Sequence, residues 1–203
     1  MFSFFGLVFL STVLAVQDFK RETAQQFNNW FVPALKFHKY VGLNLEGQLR
    51  FNEFSHNQQH QARTWLDLYL CDQVAFSPIG YVYAWNYEYG EQPLAVAENE
   101  HQIFEQVVMK FSAGRMQFNN RLRLEQRWQE HQVKQANGTY EREGYTYKNR
   151  FRYRLMLDIP LGKHKKVEAR TFYISVWDEV FTSFGKSVTY NLPDQNRAYL
   201  GFG

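Results

Sequence analysis

Residues 147–159 decide the fold class, and they read YKNRFRYRLMLDI. Apolar side chains occupy one parity of this stretch: Tyr147, Phe151, Tyr153, Leu155, Leu157 and Ile159. The opposite parity carries Lys148, Arg150, Arg152, Arg154 and Asp158. Successive side chains of a β-strand point to opposite faces, whereas a helix would scatter these arginines around its circumference. The stretch therefore predicts a strand with one apolar face and one arginine-rich face.

The same period of two recurs along the chain. In residues 118–128 the apolar parity holds Phe118, Leu122, Leu124 and Trp128, and the polar parity holds Arg121, Arg123, Glu125 and Arg127. Residues 43–54 and 79–89 alternate similarly, and less regular segments lie at 27–37, 62–74, 101–111, 167–180 and 196–202. These segments make about nine strands, most of them longer than the average strand of roughly 5–6 residues. Because a strand that crosses a membrane needs about 9–11 residues, the lengths favour membrane-crossing strands.

The connections between these segments alternate in length. Short turns are predicted at 39–42, 77–78, 112–114 and 161–164, and longer polar loops at 55–61, 90–99, 130–144 and 181–193. Short turns at one end and long loops at the other are typical of bacterial outer-membrane barrels. The pattern predicts an all-β, antiparallel, up-and-down transmembrane β-barrel.

The N-terminal residues 1–16 read MFSFFGLVFLSTVLAV, an apolar run that ends in small residues. This is the pattern of a secretory signal peptide cleaved after Ala15, although no Lys or Arg precedes the apolar run. A membrane-spanning helix needs about 20 residues, so the run is short for one. We expect export, with residues 17–203 forming the barrel domain.

Composition excludes several classes of protein. The formal net charge of +3 is too small to indicate a nucleic-acid partner. The single cysteine, Cys71, excludes an intramolecular disulfide framework. No Gly-rich phosphate loop or Cys/His cluster is present, so we expect no cofactor and no metal.

Alternation alone leaves two architectures open. In a membrane barrel the apolar parity faces lipid and the polar parity lines the lumen. In a secreted, soluble β-sandwich or lipocalin-like ligand-binding protein the apolar parity would pack inward. Strand length, the signal peptide and aromatic residues near strand ends favour the barrel; these residues are Trp30, Tyr81, Trp85, Tyr89, Trp128, Tyr147 and Trp177.

The polar parity supplies the candidate functional residues. They are Arg121, Arg123, Glu125, Arg127, Arg150, Arg152, Arg154, Asp158 and Arg197. Asp178 is expected on the same inward face. These groups either pair into a hydrogen-bonded polar core or line a passage for small anionic solutes.

An enzymatic role, such as modification of membrane lipids, requires a nucleophile, a base and an orienting group within reach of one another. No serine lies in a recognisable nucleophile context. His101 and Glu105 share a strand face but lie about 13 Å apart at Cα. We therefore predict that the protein is not an enzyme.

Several motifs of the second half occur in a familiar order: EHQIFEQVVMKF (100–111), NRLRLEQRW (120–128), YKNRFRYRLMLDIPL (147–161), WDEVF (177–181) and DQNRAYLGFG (194–203). Together they resemble the domain-of-unknown-function family 2490, which comprises outer-membrane, β-barrel-like proteins of Gram-negative bacteria without an established activity. The resemblance covers most of the mature chain and is strongest from Glu100 onward. It implies a protein of the outer membrane in contact with lipid. It also implies further strands beyond Gly203, so that a chain truncated at its C-terminus would have ten to twelve strands when complete.

Overall fold

The computed structural model describes residues 26–31, 34–52, 56–88, 96–188 and 193–203. The predicted signal peptide lies outside these residues. The strands are β1 (Gln26–Phe31), β2 (Ala34–His38), β3 (Val41–Asn52), β4 (His56–Cys71), β5 (Val74–Asn86), β6 (Glu98–Ala113), β7 (Met116–Lys134), β8 (Tyr140–Pro160), β9 (Tyr173–Phe184) and β10 (Pro193–Phe202). Within the described ranges, no helix is long and apolar enough to cross a membrane.

All ten strands belong to one antiparallel sheet in the order β1-β3-β4-β5-β6-β7-β8-β9-β10, with β2 also paired to β3. β1 and β2 pair with β3 in the same register, since Phe31 lies opposite Gly47 and Ala34 opposite Asn44. They therefore act as one edge strand. The predicted all-β, up-and-down order of nine strands is confirmed. β1 and β10 are the edges, and in the described part of the chain they do not pair with each other.

One predicted turn is wrong. Residues 77–78 lie inside β5, and the chain instead turns between β4 and β5 at Asp72 and Gln73. The register with β6 shifts between Ser77 and Gly80. Pro78 thus occupies a bulge, where its missing N–H breaks no ladder hydrogen bond.

Three connections differ in length from the prediction. β4 begins at His56, so most of the expected loop 55–61 is strand. Most of the expected loop 130–144 is strand, because β7 runs to Lys134 and β8 begins at Tyr140. The expected short turn at 161–164 is part of a longer connection, 161–172. Arg115 in the neighbouring turn donates hydrogen bonds to the carbonyls of Pro160 (2.8 Å) and His164 (3.1 Å), which ties this connection to the sheet. These strand segments were predicted as loops because they consist mainly of polar residues.

The distribution of polarity is the reverse of that in a soluble protein. Among the described residues, four hydrophobic side chains are buried: Val82, Ala84, Phe104 and Phe181. The buried polar and charged residues are far more numerous and include Gln48, Glu100, Gln106, Arg123, Glu125, Arg152 and Glu179. Large apolar side chains are instead exposed on the opposite face, among them Leu45, Leu49, Ile79, Trp85, Ile103, Phe151 and Leu155.

The polar face is concave. Arg50 of β3 interacts electrostatically with Arg197 of β10, although these strands lie near opposite edges of the sheet. Arg63 of β4 similarly interacts with Glu179 of β9. The sheet therefore curls so that its first and last strands bring their polar side chains towards a common interior.

Candidate functional site

The candidate site is the arginine-rich interior of the curled sheet. All nine sequence-predicted residues lie on its concave face. The β7–β8 ladder sets Arg121 opposite Arg154, Arg123 opposite Arg152, and Glu125 opposite Arg150. Asp158 lies further along β8, towards the turn end, and Arg197 lies on β10. The structure therefore assembles these residues on one surface.

Glu125 is the centre of the ion-pair network. Its side chain has no solvent exposure. Arg150 donates to its Oε2 (Nε, 2.7 Å) and Arg152 donates to its Oε1 (Nη1, 2.7 Å), while Arg123 Nη1 lies 3.7 Å from the same Oε1. A buried carboxylate is stable only when its charge is paired and its lone pairs are hydrogen bonded. Three arginines from β7 and β8 provide that compensation.

Glu179 is the second centre. It accepts hydrogen bonds from Arg121 (Nη2, 2.6 Å) and Arg152 (Nε, 3.0 Å). Arg152 thus joins the two glutamates. The sequence interpretation missed Glu179 and placed Asp178 inside, but Asp178 is exposed on the apolar face, where Asn196 donates to it.

The physical reason for this difference lies in β9. Trp177 has the parity of Glu179 and stacks on Tyr199 with ring centroids 5.3 Å apart. Its predicted place among the outward aromatics is therefore wrong. Satisfying the buried arginines with Glu179 fixes the parity of the strand, and Trp177 follows it inward.

Two further glutamates complete the network on the loop side. Arg63 pairs with Glu46 at 2.5 Å, and Arg127 pairs with Glu100 through both carboxylate oxygens. We call the arginines and glutamates of the concave face the interior network. It consists of Arg50, Arg63, Arg121, Arg123, Arg127, Arg150, Arg152, Arg154 and Arg197 with Glu46, Glu100, Glu125 and Glu179. Its arginines outnumber its glutamates by nine to four, so it carries an excess of positive charge.

The rings of two buried phenylalanines make cation–π contacts with the arginines. The guanidinium carbons of Arg150, Arg152 and Arg197 lie 5.3, 4.6 and 4.8 Å from the ring centroid of Phe181. Arg123 lies 4.1 Å from the ring centroid of Phe104. Cation–π attraction strengthens when both partners are removed from water. In the sequence, both phenylalanines stand out because each lies on the otherwise polar parity of its strand.

Three arginines of the interior network make no ion pair with a described residue: Arg50, Arg154 and Arg197. Within the described residues, Arg50 and Arg197 donate only to the neighbouring amides of Gln48 (3.3 Å) and Gln195 (3.2 Å). Arg154 donates no hydrogen bond to any described group. These three guanidinium groups carry part of the positive charge that the glutamates leave uncompensated.

Two cavities lie at the turn end of the sheet. The larger has a volume of about 470 Å³ and is lined in part by Asp72, Lys110, Asn119 and Asp158. The smaller, about 320 Å³, is lined in part by Lys36, Tyr69 and Cys71. Asp158 thus belongs to the mouth of the interior and makes no ion pair within the described ranges.

The polar groups of the convex face include a tyrosine–histidine pair. Tyr81 Oη lies 2.7 Å from His101 Nδ1, and the rings of Tyr83 and Tyr145 surround that histidine. Glu105 is exposed nearby on the same face and contacts no polar group that the structure describes. The described residues contain no cluster of three His, Cys, Asp or Glu side chains that could hold a metal ion.

A single up-and-down sheet with a charged, buried interior and an apolar exterior defines an all-β protein of reversed polarity. The chain belongs to the family described as protein of unknown function (DUF2490), whose profile matches residues 27–203. The predicted family is therefore confirmed. No curated protein and no solved structure matches the chain.

Proposed function

We propose that this protein is a closed β-barrel of the bacterial outer membrane, exported by its N-terminal segment, with a non-enzymatic role. The observation that carries the proposal is the reversed polarity: Glu125 is fully buried while Trp85 and Leu155 of the opposite face are about two-fifths exposed. Water would penalise such an apolar surface, whereas hydrocarbon would not. A secreted sandwich or lipocalin-like protein would bury this face instead.

On the apolar face, aromatic residues lie near both ends of the strands, as expected at the two surfaces of a bilayer. Near the loop end, Tyr83, His101, Trp128 and Tyr147 occupy one row across β5–β8. Near the turn end, Phe111 and Phe118 stack with centroids 4.8 Å apart. Ten residues separate Trp128 from Phe118, which is about 33 Å along a strand and about 25 Å across a membrane at a tilt near 40°. The apolar band of outer-membrane barrels has about this height.

Interactions across the two edges of the sheet support its closure. Arg50 near one edge and Arg197 at the other lie within electrostatic range on the concave side. An open sheet of this length would leave unpaired backbone groups in hydrocarbon, at a cost of several kcal/mol for each group. We therefore propose that the edge strands meet in the membrane.

Quenching of tryptophan fluorescence by brominated phospholipid tests the proposal. The full chain is reconstituted in phosphatidylcholine vesicles as two single-tryptophan variants, one retaining Trp85 and one retaining Trp65. Trp85 is exposed on the convex face, whereas Trp65 packs on the buried ring of Phe104 with centroids 6.3 Å apart. We expect brominated lipid to quench Trp85 several-fold more strongly than Trp65.

Two controls, for membrane binding and for folding, apply to each variant. Vesicle flotation must show that the protein is bound, and heat-dependent migration on a denaturing gel must show that it is folded. Protein that stays soluble without detergent, or equal quenching of Trp85 and Trp65, contradicts the barrel.

Passage of small anions is a second candidate function, favoured by the excess of arginine over glutamate in the interior network. Fixed positive charges in a narrow interior attract anions and exclude cations. The ion-paired side chains fill the centre, so any such passage is narrow.

A further inference from the structure

Arg154 has the fewest polar partners of the arginines in the interior network. Alone among the nine interior arginines, it donates no hydrogen bond and makes no ion pair within the described residues, and its buried Nε has no partner. It lies opposite Arg121 on β7 and opposite Glu179 on β9, and it interacts electrostatically with both without a hydrogen bond to either. The carboxylate of Glu179 is occupied by Arg121 and Arg152. The Arg154 guanidinium is therefore available to bind an anion.

Arg121 lies directly opposite Arg154 on the neighbouring strand, and its buried Nε also lacks a partner. Like charges placed directly opposite each other on a sheet destabilise it. An anion between the two side chains would remove this repulsion. Two arginine forks that converge from adjacent strands match the geometry of a carboxylate or a phosphate.

Further buried polar atoms without partners lie on the same three strands, towards the turn end. They are Asn119 Oδ1 on β7, Asp158 Oδ1 on β8 and Ser175 Oγ on β9. Buried polar groups in proteins are nearly always hydrogen bonded, to protein or to a bound molecule. Asn119 Oδ1 and Asp158 Oδ1 are acceptors, which water or the hydroxyl of a protonated phosphate can satisfy. This side of the interior is thus built for polar contents, whereas the glutamates on the loop side hold their arginines in ion pairs.

The larger turn-end cavity leads to these residues. Asn119 and Asp158 line it, and Arg121 lies two residues beyond Asn119 on the same face, about 7 Å further in. Its volume of about 470 Å³ is in the range of small-molecule sites. Asp158 lies four residues from Arg154, about 13 Å along the strand, too far to neutralise it.

We propose that Arg121 and Arg154 bind a small oxyanion, a carboxylate or phosphate group, that enters through the larger turn-end cavity. This site rests on the anion-passage candidate above and gives it a position and a ligand class. Arg154 supplies the uncommitted fork, and Arg121 supplies its free Nε while its Nη2 remains on Glu179.

Binding of inorganic phosphate to the folded, full-length chain in detergent tests the proposal. Isothermal titration at constant ionic strength is expected to show saturable binding that chloride does not reproduce. Arg154→Gln is expected to weaken phosphate binding at least tenfold. Because Arg154 makes no ion pair, this variant is expected to keep the urea midpoint of the parent protein without phosphate. Arg154→Lys, which retains the charge but not the fork, is expected to weaken binding several-fold.

Arg50→Gln is the matched control. Like Arg154→Gln, it removes one charge from the concave face without breaking an ion pair of the described residues, but it lies on β3 and not on the strands of the site, and it is expected to change the affinity less than twofold. An equal loss in Arg50→Gln and Arg154→Gln would mean diffuse attraction to the interior and would overturn the site. Absence of saturable phosphate binding by the folded parent protein would overturn it as well.

The two proposals fail separately. Protein that binds phosphate in detergent but escapes quenching by brominated lipid contradicts the membrane barrel and leaves the oxyanion site standing. Protein that is quenched as expected but does not bind phosphate contradicts the oxyanion site alone.

Discussion

Two glutamates show how the side of the sheet determines the effect of the same residue type. Glu125 is buried in the concave interior and pairs with three arginines. Glu105 lies on the convex face between apolar neighbours, and in the register of β6 and β7 it is opposite Leu124. Removing the charge of each is therefore expected to have opposite consequences.

Glu125→Gln is expected to lower the free energy of unfolding by about 3–5 kcal/mol, because it leaves buried arginines without their counter-charge. Glu105→Gln is expected to be neutral or to stabilise by up to about 1 kcal/mol, because a carboxylate facing lipid is unfavourable. Urea unfolding in phosphatidylcholine vesicles measures both. Destabilisation by Glu105→Gln of the same size as that by Glu125→Gln would contradict the assignment of the two faces.

At the scale of the strands, β5 and β6 are fitted to each other at one glycine. Gly80 lies opposite Phe104, and a Cβ at Gly80 would come within 3 Å of the Phe104 ring. That ring packs against Trp65 of β4, the strand beyond β5, and against Arg123 of the neighbouring β7. It therefore has little freedom to move.

Gly80→Ala is expected to lower the free energy of unfolding by about 1–3 kcal/mol through overpacking. Gly47→Ala is the control, since a Cβ at Gly47 would meet no atom within 4 Å. Combining Gly80→Ala with Phe104→Leu should be less harmful than the sum of the single changes, with a coupling of about 0.5–3 kcal/mol. Additive losses would mean that the ring and the glycine do not constrain each other.

Much of the strand pattern can be predicted from the sequence, because charged and apolar residues alternate through the central parts of β7 and β8. Their register places all the predicted residues of these strands on one face. The errors occur where a single residue obeys a tertiary constraint. Pro78 is a turn signal that the fold absorbs in a bulge, and Glu179 is drawn inward by arginines of other strands. Such partners are distant in sequence, so no local pattern reveals them.

For the whole molecule, the relevant quantity is the charge left over after the ion pairs have formed. Arg50 and Arg197 can be replaced without leaving a carboxylate unpaired, in contrast to Arg152, which holds both Glu125 and Glu179. They are therefore the appropriate positions at which to test anion passage without disturbing the network.

Planar-bilayer recording of the parent protein is expected to show a small, anion-preferring conductance. Arg50→Gln combined with Arg197→Gln is expected to reduce the anion preference, because two uncompensated charges are removed from the interior. Lys163→Gln, in the exposed 161–172 connection, is expected to leave it unchanged. No conductance from folded, inserted protein would identify the interior as a closed polar plug.

The β7–β8 hairpin is longer than a bilayer requires. Its strands have 19 and 21 residues, about twice the roughly 9–11 needed to cross, and they meet at residues 135–139. In the proposed barrel, with the short turns towards the periplasm as in other outer-membrane barrels, the surplus forms a two-stranded ribbon beyond the lipid headgroups on the outer side. An antibody or a bacteriophage that approaches the cell would meet this ribbon early, and an epitope inserted beside Gly138 would mark the outer side of the protein on living cells.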